Sequence, residues 1–129
     1  MVKRFIPYLL AFIVLLIDQA SKWVVKKNFS YVTNTGAGFG IFQNHPLRLM
    51  LVAATVAAFL LIYLWKHPSL ELGILLGGTL GNLTDRLVRG HVIDFITIGA
   101  WPSFNLADAA NTLAVLAILL RTRKKNQYR

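Results

Sequence analysis

Apolar residues fall along this chain in four long runs, about Phe5 to Val25, Leu47 to Trp65, Leu70 to Leu87 and Phe104 to Leu120. Each run approaches the roughly 20 residues that an α-helix needs to cross a hydrocarbon layer. The pattern predicts an all-α membrane protein of four transmembrane helices, forming one unit over residues 1–129. In the third run Gly73, Gly77 and Gly81 recur at intervals of four, so positions without side chains share one helical face. A neighbouring helix can approach closely there, which places this helix at the centre of the bundle.

Two connecting segments break the apolar pattern without being ordinary hydrophilic linkers. Phe29 to Pro46 reads FSYVTNTGAGFGIFQNHP, aromatic and punctuated by glycine, and His91 to Phe104 reads HVIDFITIGAWPSF, rich in β-branched residues. Such compositions suit short strands and tight turns. Both lie on the same side of a zigzag of four helices, so they predict a small extracytoplasmic β-like cradle that carries function.

Composition agrees with a lipid environment. At 56% hydrophobic residues, 15% charged residues and a mean hydropathy of +0.56, the chain holds more apolar surface than a soluble domain of 129 residues buries. The net charge of +9 raises the question of nucleic acid, but the basic residues cluster at the ends of the apolar runs, where lipid phosphates lie. No nucleic-acid partner is expected; membrane lipids are. Lys3, Arg4, Lys66, Arg121, Arg123, Lys124, Lys125 and Arg129 make eight basic residues on one side, against six (Lys22, Lys26, Lys27, Arg48, Arg86, Arg89) on the other. The excess places both termini in the cytoplasm. Met1-Val2-Lys3-Arg4 ahead of an apolar run has the charge order of a secretory signal, but the run continues through Asp18 to Val25 without a small-x-small site, so an uncleaved first helix is expected. The absence of cysteine removes disulfides, thiol nucleophiles and thiolate metal sites, and no lipid can be attached to this chain through a thioether.

Polar residues at membrane depth cost several kcal/mol unless they are paired, so each needs a reason. Asp18 has Lys22 at i+4, which points to a structural ion pair. Asn82, Asp85 and Arg86 end the third run at spacings of three and four. Asp85, with Arg86 beside it and Arg89 at i+4, reads as part of a supporting network, with Arg86 or Asn82 available to a substrate carbonyl. Asp94 and Asp108 differ, because neither has a lysine or arginine within four residues. Asp108 falls in the first turn of the fourth helix, where the helix dipole favours an anion, and Asn105 three residues earlier is a candidate cap or orienting group. Taken singly, Asp108 reads as a helix-end charge and Asp94 as a solvated loop residue.

As a pair they mean more. A short hairpin that folds the second loop onto the start of the fourth helix brings both carboxyls to one water. Two like charges held so close do not both ionise, and one acid beside one base is what amide hydrolysis requires. Other hydrolytic machinery is missing from the sequence. Ser21, Ser30, Ser69 and Ser103 lie in no GxSxG turn, and His45, His67 and His91 form no HExxH, so no metal is expected. Two rival classes stay open on the residues alone. A proton-coupled transporter would depend on Asp18 and dispense with the loop acids, and a non-enzymatic assembly factor would dispense with both.

In order, Asp18-Gln19-Ala20-Ser21-Lys22, Asn34-Thr35-Gly36-Ala37-Gly38-Phe39, Gly77 to Arg86 (GGTLGNLTDR), Val92-Ile93-Asp94-Phe95 and Phe104-Asn105-Leu106-Ala107-Asp108 resemble the lipoprotein signal peptidase (signal peptidase II) family. The resemblance implies a bacterial inner-membrane aspartyl endopeptidase of four helices with an active site on the outer face. It implies a prolipoprotein substrate cut just before a lipobox cysteine that carries diacylglycerol, sensitivity to globomycin, and no cofactor or metal. Asp94 and Asp108 match the catalytic dyad, and Asp18, Lys22, Asn34, Gly36, Asn82, Asp85, Arg86, Asn105 and Ala107 match substrate-binding or supporting positions. The chain departs from the family pattern in a short interval between Asp94 and Asp108, a short overall length, Gly38 where alanine is common, and an extra polar residue, Asn111, one turn into the fourth helix. Phe39, Phe42, Phe95 and Trp101 are candidates for lining the substrate groove, with interfacial anchoring as the commoner use of such residues.

Overall fold

In a computed structural model the protein is described over residues 2–127; the basic flank residue Arg129 and the side chain of Phe39 lie outside the described residues. Helix α1 (Val2–Asn28) leads into strand β1 (Val32–Asn34) and a short 3₁₀ turn, Gly38–Gly40. Helix α2 (Pro46–Lys66) and helix α3 (Leu70–Arg89) follow, then strand β2 (Val92–Asp94) and helix α4 (Leu106–Gln127).

Helix limits follow local chemistry. Pro46 opens α2, where its missing N–H is no loss. Ser69 caps α3, its Oγ accepting from Leu72 N at 3.4 Å, and Gly90 ends that helix in the left-handed conformation at φ 75°. The fourth helix starts at Leu106, later than the apolar run suggests, because Phe104 is held in an isolated β-bridge with Ile96. At its other end α4 continues through the basic tail to Gln127.

Helix α3 packs against all three other helices. Its glycines set the closeness of the fit. A Cβ at Gly73 would lie 2.4 Å from Pro7 O, one at Gly77 2.6 Å from Ala11 O, and one at Gly81 2.5 Å from Asp18 Oδ2. The stripe of three glycines therefore seats α1 along its length. Gly78, on an adjoining face, seats α4 in the same way, since a Cβ there would come within 2.6 Å of Ala107 O. On the other flank of α3, Leu76 and Leu83 join Ala57, Leu60 and Leu64 of α2 in an apolar core.

Burial is inverted relative to a water-soluble bundle. Asp18, Lys22, Asp85, Asp94 and Asn105 are buried, whereas Leu9, Phe12, Phe59, Ile62 and Leu120 are more than half exposed. An apolar exterior around a polar interior is suited to lipid. Among the described residues α1 and α2 are long and apolar enough to cross a membrane. Helices α3 and α4 do not meet the same composition, because Glu71, Asp85, Arg86 and Arg89 interrupt α3 and Arg121, Arg123, Lys124 and Lys125 load the end of α4.

At the end of the bundle where α1 and α3 finish, β1 and β2 pair antiparallel, with Val32 opposite Asp94, Thr33 opposite Ile93 and Asn34 opposite Val92. Within the ribbon Val92 and Ile93 are buried. The chain then doubles back, Phe95 and Ile96 N–H both donating to Phe104 O at 3.0 and 2.8 Å, and so delivers Asn105 to the head of α4.

Candidate active site

Asp94 ends β2 and Asp108 sits in the first turn of α4, and both line one cleft of about 910 Å³. Asn105 and Asp108 form a reciprocal cap: Asp108 N donates to Asn105 Oδ1 at 2.9 Å, and Asn105 N donates to Asp108 Oδ2 at 3.2 Å. This locks the backbone and the carboxyl together at the helix start.

Three side chains then set the positions of both acids. Asn105 Nδ2 donates to Asp94 Oδ1 at 2.8 Å and to Asn82 Oδ1 at 3.0 Å. Asn82 Nδ2 in turn donates to Asp108 Oδ1 at 2.7 Å. The second oxygen of Asp94 accepts from Asn34 Nδ2 at 3.0 Å. The side-chain partners of both acids are thus neutral amides.

Burial pushes the Asp94 carboxyl up to about 6; the Asn34 amide opposes that rise, and the nearby charge of Asp108 adds to it. Asp94 is 2% exposed. A carboxyl in that range exchanges its proton close to neutral pH, which suits acid–base work.

Beneath the two acids lies a closed charge network. Lys22 Nζ stands 2.7 Å from Asp18 Oδ2 and 2.9 Å from Asp85 Oδ2, with all three side chains fully buried. Arg89 completes it at 2.7 Å from Asp85 Oδ1. The charges balance, two carboxylates against two cations, as burial requires. Each carboxylate also fixes backbone. Asp18 Oδ1 accepts from Ala107 N at 2.9 Å, so α1 caps α4, and Asp85 Oδ2 accepts from Ile93 N at 3.1 Å, so α3 anchors β2. Lys22 reaches Asn82 Oδ1 at 3.3 Å, which turns the amide nitrogen of Asn82 toward Asp108.

Arg86 departs from expectation. Neighbouring residues on a helix point about 100° apart, so Arg86 does not pair with Asp85; it lines the cleft and donates from Nη2 to Gly36 O at 3.1 Å. Gly36 is buried in a turn where its N–H donates to Asn34 Oδ1 at 2.9 Å. A Cβ at Gly36 would meet Ile41 O at 2.9 Å, so the turn admits no side chain there. Asn34, Gly36 and Arg86 thereby join the first loop to the site.

The expected aromatic lining is partly revised. Trp101 borders the cleft together with Phe104 and Ile98, whereas Phe95 faces a separate pocket of about 160 Å³ on the other side of Asp94. Phe42 is 56% exposed on the first loop. Sequence reasoning also passed over Gln19, whose Nε2 lies 3.0 Å from both Gly81 O and Asp85 Oδ1. Its position between Asp18 and Lys22, in the polar stretch that follows the apolar run from Phe5 to Ile17, was the available signal. Among the described residues no three His, Asp or Glu side chains gather as metal ligands.

Comparison with known proteins places the chain in a family and the fold beside solved structures. A lipoprotein signal peptidase of Moorella thermoacetica is 39% identical, the match covering 85% of this chain and 87% of that one. One of Halothermothrix orenii is 33% identical over 88% and 92%. A solved bacterial membrane enzyme, determined by the in meso method at 2.3 Å, shares the fold with a TM-score of 0.88 at 23% identity, covering 95% of this chain and 90% of that one. A second, at 1.9 Å, superposes with a TM-score of 0.80 over 90% and 91%. The family model described as signal peptidase (SPase) II matches residues 10–124, and on that match and these relatives the chain belongs to the signal peptidase II family.

Proposed function

We propose that this protein is an aspartyl endopeptidase of the bacterial inner membrane that removes signal peptides from prolipoproteins, cutting just before a cysteine that carries diacylglycerol. The observation that carries the assignment is the join between Asp94 and Asp108. Two carboxyls line one cleft and are linked through Asn105 and Asn82, while the cations below are taken up by Asp18 and Asp85.

In this reading Asp94 holds the proton and Asp108 is the base. The ionised Asp108 takes a proton from water as the water oxygen bonds to the scissile carbonyl carbon. Asp94 gives its proton to the carbonyl oxygen, producing a gem-diol. Asp108 then passes the proton it took to the amide nitrogen, a gem-diol hydroxyl returns its proton to Asp94 as the C–N bond breaks, and a carboxylic acid and the amine of the lipid-bearing cysteine leave. Bound substrate excludes bulk water from the cleft, which strengthens each of these interactions. Arg86 and the Asn34–Gly36 turn at the cleft edge are placed to hold extended substrate backbone, and Asp18, Lys22, Asp85 and Ala107 keep the helices that carry the acids in register.

All four helices span the membrane in this reading, with the β1–β2 ribbon as an outer cradle and both termini in the cytoplasm. The inward charges of α3 suit a span whose polar side faces protein. Lys22 is buried and Arg86 lines the cleft, so neither counts as an outer flank. Leaving them aside sharpens the basic excess on the cytoplasmic side. A transporter built on Asp18 finds no support, since that carboxylate is enclosed between Lys22 and Ala107 N.

Cleavage of a synthetic diacylglyceryl lipobox peptide by the purified protein, with and without globomycin, tests the assignment. Asp94→Asn and Asp108→Asn should each lower turnover by roughly 100- to 10,000-fold while the protein still inserts and folds. Retained cleavage in either variant refutes the dyad.

A further inference from the structure

Asn111 stands three residues beyond Asp108 on α4 and borders the same cleft. Three residues at 1.5 Å rise place it about 4.5 Å deeper along the helix axis, on nearly the same face. Ala109 and Leu113 line the cleft from the same helix, and Thr112 beside them adds one hydroxyl, so the wall around Asn111 is apolar apart from that group. A carboxamide in such a setting needs a partner. Its Oδ1 is buried and accepts no hydrogen bond. That oxygen lies against α3 at Gly78, where an added Cβ would fall 2.2 Å from it. The oxygen end is therefore closed off, and Nδ2 is the end of the group left to the cleft.

We infer that Asn111 is a specificity-determining residue that donates a hydrogen bond to an ester carbonyl of the substrate's diacylglyceryl group, an inference that rests on the peptidase reading above. The chemistry of the substrate narrows the acceptor. Peptide carbonyls around the scissile bond belong at the level of Asp94 and Asp108, and acyl chains carry no acceptor at all. Between them lies a short thioether and glycerol spacer ending in ester carbonyls. A neutral donor one turn below the acids, on an apolar wall, matches that position and polarity. A carboxamide donor at this depth favours an ester-linked lipid over an ether-linked one, because the ether lacks the carbonyl.

Two synthetic lipobox peptides test this, one with S-diacylglyceryl cysteine and one with its dialkyl ether analogue. The wild-type protein should show a KM roughly 3- to 10-fold lower for the ester, with similar kcat, the size of effect one neutral hydrogen bond produces. Asn111→Leu, close in volume and unable to donate, should raise KM for the ester by the same factor and leave the ether unchanged. Equal KM values for the two lipids in the wild-type protein overturn the inference even if the variant fails to fold. So does an Asn111→Leu effect of equal size on both. Failure of the wild-type protein to cut the ester peptide at all would instead overturn the peptidase reading.

Discussion

The side-chain amide of Asn105 reaches Asn82 Oδ1 at 3.0 Å, and this contact joins the side-chain hydrogen bonds of Asp94 and Asp108 into one chain beside the backbone bond from Asn105 N to Asp108. Asn105 also caps α4, so one residue sets both the helix start and the spacing of the acids. Asn105→Ala should therefore act twice. Loss of the cap should cost about 0.5–2 kcal/mol of stability, read by thermal unfolding in detergent. Loss of the amide frees both carboxyls to move, and turnover should fall by more than that destabilisation explains, with kcat affected more than KM. Asn105→Ser, which keeps a capping oxygen but is too short to reach Asp94 and Asn82, should recover part of the stability and leave turnover low.

The pH dependence follows from Asp94, whose carboxyl is raised by burial and by Asp108 to about 6. If protonated Asp94 is the acid, kcat/KM falls as pH rises past about 6, because that ratio reports the free enzyme. The limb in kcat lies higher, since bound substrate dries the site further. Replacing Asp108 by Asn removes a neighbouring charge that raises Asp94, so the Asp94 titration should move down; infrared difference spectra of the carboxyl band would record it. The folded chain binds this proton more tightly than the unfolded one. Stability therefore declines as pH rises from about 3.8, the ordinary value, through about 6, and Asp94→Asn should abolish that decline. An Asp94 band that titrates at the same pH with and without Asp108 would separate the two acids electrostatically.

Lys22 carries a different kind of prediction, one of stability. It is the buried cation shared by Asp18 and Asp85, and Lys22→Leu leaves a net negative charge among fully buried groups. Breaking such a network from one side costs about 3–5 kcal/mol. Adding Asp18→Asn removes the excess charge and keeps an oxygen for Ala107 N, so the double variant should recover part of the loss. Melting temperatures of the two single variants and the double would give the coupling, and simple additivity would exclude the shared-cation description.

Legibility divides along the line between local and tertiary information. The helices were readable because apolar runs of sufficient length have one common solution in lipid, and Asp18–Lys22 because i,i+4 neighbours meet on any helix. A close helix contact on Gly73, Gly77 and Gly81 was readable for the same reason, since a fourfold interval defines a face whatever packs there, but that α1 is the helix seated on it was not. The bond from Lys22 to Asp85 and the turn of Arg86 toward Gly36 were not, since each depends on how one helix is rotated against another. The strands were readable as β-branched segments, but the register that sets Val32 opposite Asp94 was not. Phe104 was placed in the helix because its apolar character continues the run, and only the bridge to Ile96 removes it.

Gly78 offers a test of how finely α4 is placed. Its Cα faces Ala107 O, and a Cβ would approach that backbone atom to 2.6 Å and Asn111 Oδ1 to 2.2 Å. The side chain of Asn111 can swing aside, but a backbone carbonyl of α4 cannot move without the helix. Ala107 is also where Asp18 caps α4, and Asp108 follows it directly. Gly78→Ala should thus push the start of α4 outward, lengthen the contact from Asn82 to Asp108, and cost about 1–3 kcal/mol, as overpacking does elsewhere. Turnover should fall as well, because Asp108 is displaced relative to Asp94 and Asn82. Gly38→Ala is the matched control: nothing lies within 4 Å of a Cβ at that position, so stability should change little. A Gly78→Ala protein with unchanged stability and turnover would mean that α3 and α4 are free to separate by a methyl group, and that the acids are held by their hydrogen bonds alone.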